Sequence, residues 1–316
     1  MTASFGEFLL ATLATLVVGI GIGIRIGRSA GSASTNPRNR WGTQHEQDAR
    51  EALEAKEAQE TQRRLGLAVE HDQLVLHYQP KVELGTGRVA GLEALLRWQH
   101  PERGLLLPAE FLPAAALSAE LIRSLTTWVL RRALADYTAW TASGHNWTVS
   151  VNISGHDLGA SGFPGHVAQI LQDAGVRPDR LHLEVNETEL ARDIALARQV
   201  VGALAALGIQ LSIDDFGNAS ATASELRTFA VSEVKIDRMF VASLPGQEHD
   251  RARVSSLIEL GHGLGCLVTA EGVEWQEVAD WLAEAGCDHA QGYLWLRPRA
   301  WPEVAQVFGT AAMPWD

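Results

Sequence analysis

Acidic and amide side chains recur near the carboxyl ends of short apolar segments that have the character of β-strands. They are Glu93, Asn152, Glu184, Asp214, Asp215 and Glu271, with Lys235 and Gln291 in further segments of the same kind. Five carboxylates at one place cannot all ionise without cations. Carboxylate and amide oxygens suit Mg²⁺ or Mn²⁺, and two adjacent aspartates suit a pair of metals acting on a phosphoryl centre. Lys235 would add a point positive charge for a phosphate oxygen or the attacking water.

The alternation of side chains in these segments predicts which way the polar groups face. Successive side chains of a strand point to opposite faces. In three of these segments polar residues share one face, namely Ser150, Asn152 and Ser154, then His182, Glu184 and Asn186, then Ser212 and Asp214. The opposite face of the same segments is apolar and contains Val149, Val151, Leu183, Val185, Leu211 and Ile213. We therefore expect the polar face to point inward and the apolar face to point towards surrounding helices.

Eight strand-like segments alternate with amphipathic stretches such as Ile122–Ala142 and Ile194–Leu207. The eight are Leu74–Val82, Val89–Trp98, Trp147–Ser154, Arg180–Glu187, Ile209–Phe216, Glu233–Phe240, Cys266–Val273 and Ala290–Leu296. This alternation is typical of a parallel sheet, and eight repeats favour a closed (β/α)8, or TIM, barrel. A doubly wound open sheet is the alternative, but no GxGxxG motif follows the first strand.

Composition excludes several classes of protein. The chain has 316 residues, of which 46% are hydrophobic and 20% charged, so it can bury a core and is not wholly disordered. Its net charge of -12 argues against a generic DNA or RNA binder. Cys266 and Cys287 are the two cysteines and form no CxxC pair, which disfavours a disulfide scaffold, a zinc ribbon and a thioredoxin site.

The first 28 residues have the character of a transmembrane anchor. Residues 8–24 carry no charge, and the run through Ile26 approaches the length that spans a bilayer. Basic residues follow the apolar run, which places residues 28 onward in the cytoplasm. A cleaved signal peptide is the rival, although Glu7 and no base precede the run. Gly19, Gly23 and Gly27 share a helical face that would allow two such helices to dimerise, although glycine is also simply common in membrane helices.

Residues 29–71 are predicted to form a linker followed by a charged helix. A Gly/Ser/Asn/Pro stretch precedes a helical run from about Gln44 to Glu70, in which Glu46–Arg50 and Glu60–Arg64 are favourable i,i+4 pairs. The apolar stripe is too thin for a good coiled coil, so a solvated connecting helix is preferred. Residues 72–316 are expected to form the remaining domain, which contains the strand-like segments.

The chain from about residue 72 to 316 resembles the EAL domain family, whose members are phosphodiesterases for cyclic di-GMP. The motifs that carry the resemblance, in chain order, are Tyr78-Gln-Pro80, Glu93-Ala-Leu-Leu-Arg-Trp98, Val151-Asn-Ile-Ser154, Glu184-x-x-Glu187, Asp214-Asp-Phe-Gly217, Lys235-Ile-Asp237, Ala270-Glu-Gly-Val-Glu274 and Gln291-Gly-Tyr293. The family fold is a modified TIM barrel, in agreement with the strand count.

The resemblance implies a role for each matching residue. The first metal would be bound by Glu93, Asn152, Glu184 and Asp214, the second by Asp214, Asp215 and Glu271. Lys235 would orient the water, and Glu271, as ligand or base, and Glu187 complete the catalytic set. Gln79, Arg97 and Gln291 would contact the substrate, Arg97 through a phosphate. In-line attack on one phosphodiester would open cyclic di-GMP to linear pGpG. The expected protein is a homodimer at the inner membrane, with its barrel in the cytoplasm and no DNA or RNA polymer as partner.

The sequence departs from the family pattern beside the second metal. The family usually continues Asp-Asp-Phe-Gly with Thr-Gly-Tyr-Ser-Ser-Leu, whereas residues 218–223 read Asn-Ala-Ser-Ala-Thr-Ala, and Asn186 replaces a threonine. Alanine at 219 would be strained if the family glycine needs a positive φ. Weak activity is therefore compatible with the sequence. An EAL-type receptor that holds cyclic di-GMP without efficient cleavage is the alternative function, and a protein-interaction scaffold is the third.

Overall fold

The computed structural model describes Lys56 and residues 59–112, 117–190, 192–218, 223–244, 246 and 248–309. The predicted anchor, the glycine face within it, most of the linker and residues 219–222 of the divergent loop lie outside this part of the chain. Among the described residues, no helix combines the length and apolar character needed to cross a membrane.

The chain divides into two compact units, and the described part of the smaller one lies between Lys56 and Leu74 and between Trp98 and Ile122. It contains helix α1 (59–70), in which Glu60 pairs with Arg64 at 2.8 Å as predicted. The end of strand β2 (Val89–His100) pairs antiparallel with the short strand β3 (Gly104–Leu106), and helix α2 (Pro108–Phe111) follows. Trp98 packs edge-to-face against Phe111 with ring centroids 5.7 Å apart.

The larger unit, Val75–Arg97 and the chain from Arg123, contains the predicted barrel. Its other strands are β1 (Leu74–Glu83), β4 (Thr148–Asn152), β5 (Leu181–Asn186), β6 (Gln210–Phe216), β7 (Glu233–Ile236), β8 (Leu267–Glu271) and β9 (His289–Gln291). The strand order is β1-β9-β8-β7-β6-β5-β4-β2, and β1 also pairs with β2, which closes a ring of eight. Neighbouring strands from β2 round to β9 are parallel, whereas β1 is antiparallel to β9. That reversed strand makes this a modified TIM barrel.

Helices follow the strands and cover their apolar face. They are α3 (Ala119–Ala142), α4 (Gly155–Leu158), α5 (Phe163–Ala174), α6 (Glu187–Leu190), α7 (Ile194–Ala206), α8 (Ala223–Leu226), α9 (Arg238–Val241), α10 (Glu248–Gly263), α11 (Gln276–Glu284) and α12 (Trp301–Phe308). The predicted outward residues, including Val149, Leu183 and Ile213, are completely buried. Each such side chain contributes roughly 1.5–3 kcal/mol on burial.

Several predicted strand boundaries are wrong, and local chemistry explains two of them. The segment Glu233–Phe240 leaves the sheet after Ile236, because the Asp237 carboxylate accepts the Met239 N–H at 2.8 Å and begins helix α9. Within the predicted segment Ala290–Leu296, the strand ends at Gln291. A Cβ on Gly292 would lie 2.0 Å from the Val273 carbonyl oxygen, so the chain turns there at a position that only glycine fits. Strand β3 was not predicted.

Candidate metal and substrate site

The predicted site residues lie on consecutive strands near one end of the barrel. Asn152, Glu271 and Gln291 are the last residues of β4, β8 and β9. Cross-strand registers place Asn152 beside Glu184 and Glu271 beside Gln291. Carboxyl ends of parallel barrel strands meet at one rim, where such enzymes have their active sites. The structure therefore brings together the group that the sequence predicted.

Lys235 lies at the centre of this group. Its ammonium is 2.6 Å from Glu271 and 2.7 Å from Glu184, and 3.5 Å from both Glu93 and Asp214. Strands β7 and β2 are not neighbours, so contacts between Lys235 and Glu93 cross the barrel interior. Burial alone would lower the pKa of Lys235, but the surrounding carboxylates outweigh it and hold the pKa well above its usual value. Lys235 is therefore a permanent buried cation.

Glu93 links the acidic group to the predicted substrate residues. Its carboxylate accepts hydrogen bonds from Asn152 Nδ2 at 2.8 Å and from Gln291 Nε2 at 2.6 Å. Gln291 also donates to Gln79 Oε1 at 3.1 Å. Burial acts to raise the pKa of Glu93, but the Lys235 charge and these hydrogen bonds leave it lowered. Glu93 is thus held ionised between the two groups.

A bulge in β6 turns two consecutive aspartates to the same site. Strict alternation would send Asp215 to the opposite face from Asp214. Instead the register shifts between Ile213 and Phe216, and Asp215 adopts φ +55°. This left-handed conformation costs roughly 1–2 kcal/mol in a non-glycine residue, and bulges are common beside active sites. Carboxylate oxygens of Asp214, Asp215 and Glu271 consequently lie within 4.8 Å of one another.

The acidic group has more negative charge than Lys235 can balance. Burial and neighbouring carboxylates raise the pKa of Glu184 and of Asp215 to about 8, and raise that of Asp214. Burial, with Asp214 nearby, raises the pKa of Glu271 well above its usual value. Asp214 Oδ1 is buried without a hydrogen bond, and its ion-pair partner is the Lys235 ammonium at 3.5 Å. A cluster of carboxylates with excess negative charge, one of whose oxygens has no hydrogen-bond donor, is suited to bind a hard divalent cation.

Arg97, Tyr293 and Arg297 extend the polar surface beyond the two glutamines. The Arg97 side chain is largely buried and donates to the Leu96 carbonyl at 2.7 Å. Burial lowers the pKa of Arg97, while Glu93 and Tyr293 act in the other direction. The Arg297 guanidinium lies 4.0 Å from the ring centroid of the exposed Tyr293. Cationic and aromatic groups of this kind can bind phosphate and a nucleobase.

The sequence matches the EAL domain family over residues 62–298. The chain belongs to the EAL domain family. Over 232 residues this EAL domain is 39% identical to the bifunctional diguanylate cyclase/cyclic di-GMP phosphodiesterase MucR of Pseudomonas aeruginosa, covering 73% of this chain and 34% of that protein. The cyclic di-GMP phosphodiesterase NbdA of the same organism is 37% identical over 238 residues, with 75% and 30% coverage. The chain thus spans about a third of the length of these curated relatives.

A solved structure shares the fold of this EAL domain. The PaMucR phosphodiesterase in its c-di-GMP complex superposes with a TM-score of 0.73 at 37% sequence identity. The alignment covers 78% of this chain and 99% of that one.

Two residues beside this site were missed by the sequence or were given a different role. Asp237 is buried, and its charge helps to raise the pKa of Asp215. The signal available in the sequence was its position two residues after Lys235 in a strand-like segment, because residues i and i+2 of a strand share a face. Glu187, predicted as catalytic, accepts the Gly217 N–H at 3.0 Å and so holds the turn that follows β6.

Proposed function

We propose that this EAL domain hydrolyses cyclic di-GMP to linear pGpG with bound divalent metal ions, two Mg²⁺ or Mn²⁺. The observation that carries the proposal is a cluster of five carboxylates at the rim of an EAL barrel: four of them form ion pairs with Lys235, and the fifth, Asp215, lies beside Asp214 and Glu271. Further support comes from relatives that are named as cyclic di-GMP phosphodiesterases and from a related structure in complex with c-di-GMP.

The proposed ligands divide into two overlapping sets. Glu93, Asn152, Glu184 and Asp214 would hold the first ion, and Asp214, Asp215 and Glu271 the second. The proximity of the oxygens of the latter three supports the second set. Bound divalent cations would neutralise phosphate charge and lower the pKa of an attacking water.

The remaining residues would position the reactants. Lys235 would donate a hydrogen bond to the attacking water, and Glu271 would accept a proton if it acts as a base. Arg97 would bind a phosphate, while Gln79 and Gln291 would contact the rest of the nucleotide. The water oxygen bonds to phosphorus, one phosphorus–ribose oxygen bond breaks, and the ribose oxygen leaves with a proton. Glu187 acts here as a positioning residue, because it contacts the backbone of Gly217.

Turnover of cyclic di-GMP by the 316-residue chain tests this proposal. We expect linear pGpG with Mg²⁺ or Mn²⁺ from the wild type, and none from Glu93→Ala. Glu259→Ala, which removes an exposed carboxylate from α10, is the matched control and should retain full turnover. Equal turnover by wild type and Glu93→Ala would overturn the proposed site.

A receptor function is the second candidate. It is favoured by the altered 218–223 segment and by the departure at Asn186, whose amide contacts Asp215 directly. Metal-dependent binding of cyclic di-GMP without pGpG formation would establish it in place of the phosphodiesterase.

The proposed location is the inner, cytoplasmic membrane, with residues 1–28 as a single-pass anchor and the barrel in the cytoplasm. The uncharged run, the bases that follow it and the Gly19–Gly27 face support an anchored homodimer. Residues 29–71 would be the linker and 72–316 the catalytic domain. Cell fractionation tests the anchor: removal of residues 1–28 should move the protein from the membrane to the soluble fraction.

A further inference from the structure

We propose that Asn186 is a positioning residue for the second metal: its side-chain amide holds Asp215 in the orientation that binds the ion. The inference rests on the proposed function. The Asn186 Nδ2 donates a hydrogen bond to Asp215 Oδ2. Asn186 ends β5 and is in register with Asp214, so the amide reaches the bulge of β6 directly.

Asp215 is the acidic residue of this site that most needs an external restraint. Its backbone is in the left-handed region, and its carboxylate lies close to the negative charges of Asp214 and Asp237. Lys235 forms ion pairs with Glu93, Glu184, Asp214 and Glu271 but, within the described chain, not with Asp215. Lys235 and Arg238 attract the Asp215 carboxylate through their charges, and the hydrogen bond from Asn186 is the side-chain contact that fixes its orientation against these neighbours.

The orientation of the Asn186 amide is determined by Thr188. Asn186 Oδ1 accepts two hydrogen bonds, one from the Thr188 N–H at 2.9 Å and one from the Thr188 hydroxyl at 2.6 Å. An amide oxygen accepts and an amide nitrogen donates, so this pair of donors directs the NH₂ group towards Asp215.

A neutral donor is the chemistry that this position requires. Lysine or arginine would neutralise Asp215 and compete with the divalent ion, and a carboxylate would repel it. An amide restrains one oxygen and leaves the net charge of the site unchanged. The second oxygen of Asp215 remains available as a ligand.

The affinity of the 316-residue chain for Mn²⁺, measured from the electron paramagnetic resonance of the free ion without nucleotide, tests the proposal. We expect Asn186→Leu, which keeps the approximate shape and removes the donor, to weaken binding at one of the sites by ~10-fold or more, as loss of an outer partner of a metal ligand does. Asn146→Leu makes the same substitution at an exposed position and should leave the affinity within about 2-fold. Asn186→Leu with wild-type affinity would overturn the proposal.

A second pair of variants separates donation from a merely structural role. Asn186→Thr and Asn186→Val have the same shape and differ by one hydroxyl donor. We expect the threonine variant to bind Mn²⁺ several-fold more tightly, with equal thermal stability of the two variants when metal is absent. Equal Mn²⁺ affinities of the two variants would show that a hydrogen-bond donor at position 186 does not affect metal binding, and would overturn the positioning role of Asn186.

The same titration distinguishes failure of this inference from failure of the proposed function. If Asp215→Ala abolishes one Mn²⁺ site and Asn186→Leu does not weaken it, the metal site stands and the positioning role falls. If the wild type binds no Mn²⁺, both the metal site and the positioning role fall.

Discussion

The barrel interior contains two layers of polar and charged side chains, which are two residues apart along strands β6, β7 and β8. We call Lys81, Ser212, Glu233 and Thr269 the basal layer, and Glu93, Glu184, Asp214, Asp215, Lys235 and Glu271 the rim layer. On β6, β7 and β8 the basal residue precedes its rim counterpart by two positions: Ser212 and Asp214, Glu233 and Lys235, Thr269 and Glu271. The two layers therefore lie in one barrel and differ in how their charges are matched; the basal residues are all buried, whereas Asp214 and Glu271 of the rim layer are partly exposed.

The basal layer is balanced and the rim layer is not. Lys81 donates to both oxygens of Glu233 at 2.7 Å, and Ser212 and Thr269 donate at 2.6 and 2.5 Å. Burial acts to raise the pKa of Glu233, but Lys81 outweighs it and the pKa lies well below its usual value. In the rim layer one lysine faces five carboxylates, most of whose pKa values are raised. A buried cluster with matched charges serves stability, whereas an unmatched one is suited to bind cations.

Substitution of a rim carboxylate should give the largest change in activity. We expect Asp214→Asn to lower turnover of cyclic di-GMP by at least ~10²–10³-fold, because it removes a ligand proposed for both ions. The same change should raise the free energy of unfolding of the metal-free protein by about 1 kcal/mol, because it relieves repulsion among buried carboxylates. Turnover assays and urea unfolding in EDTA measure the two effects. A marked loss of stability would contradict the contrast between the layers.

Substitution of the basal carboxylate should give the reverse result. Glu233→Gln leaves the Lys81 ammonium buried without an opposite charge, which should cost about 3–5 kcal/mol in urea unfolding. Turnover by the folded protein should change far less than in Asp214→Asn. The same substitution at the exposed Glu303, which pairs with Arg299 at 3.5 Å, is the control and should cost at most about 1 kcal/mol. Equal losses of unfolding free energy in Glu233→Gln and Glu303→Gln would show that burial of the Lys81–Glu233 pair does not contribute to its effect on stability.

The contrast also shows what the sequence could predict. Alternation of polar and apolar residues correctly identified the barrel and the inward faces of β4, β5 and β6, because burial constrains both faces of such strands. Alternation could not predict that Asp215 faces the site, since this depends on a bulge with a positive φ. Asp215 was included in the site instead because it adjoins Asp214 at the end of the strand, and the resemblance to the EAL family gave it a ligand role.

The buried ion pair of the basal layer was not predicted. Lys81 and Glu233 are 152 positions apart in the sequence, and their contact exists only because the barrel closes. Ser212 was assigned to the inward face, but nothing in its local sequence indicates its partner. The third missed feature, the helix that begins at Asp237, depends on one side-chain cap within a segment of otherwise strand-like residues.

The pH dependence of stability sharpens the comparison for Glu233. Its pKa in the folded protein lies below the ordinary value of 4.5, so ionisation stabilises the fold above that pH and this contribution is lost as the pH falls towards the folded-state pKa. The stability gap between wild type and Glu233→Gln should therefore shrink as the pH falls from about 5 towards the folded-state pKa, by up to ~1.4 kcal/mol per pH unit. Urea unfolding in EDTA across this range measures the gap. A gap that widens in acid would contradict the lowered pKa.

The smallest expected effect comes from a hydroxyl of the basal layer. Ser212→Ala removes one donor to Glu233 Oε2, which keeps its bond from Lys81, so the free energy of unfolding should fall by about 1 kcal/mol. Ser256→Ala, which removes an exposed hydroxyl from α10, is the matched control and should change it by less than ~0.5 kcal/mol. Turnover should be unchanged in both, although Ser212 is only two residues from Asp214. Loss of turnover at unchanged stability would instead mean that Ser212 acts with the rim layer, and that the two layers are coupled along β6.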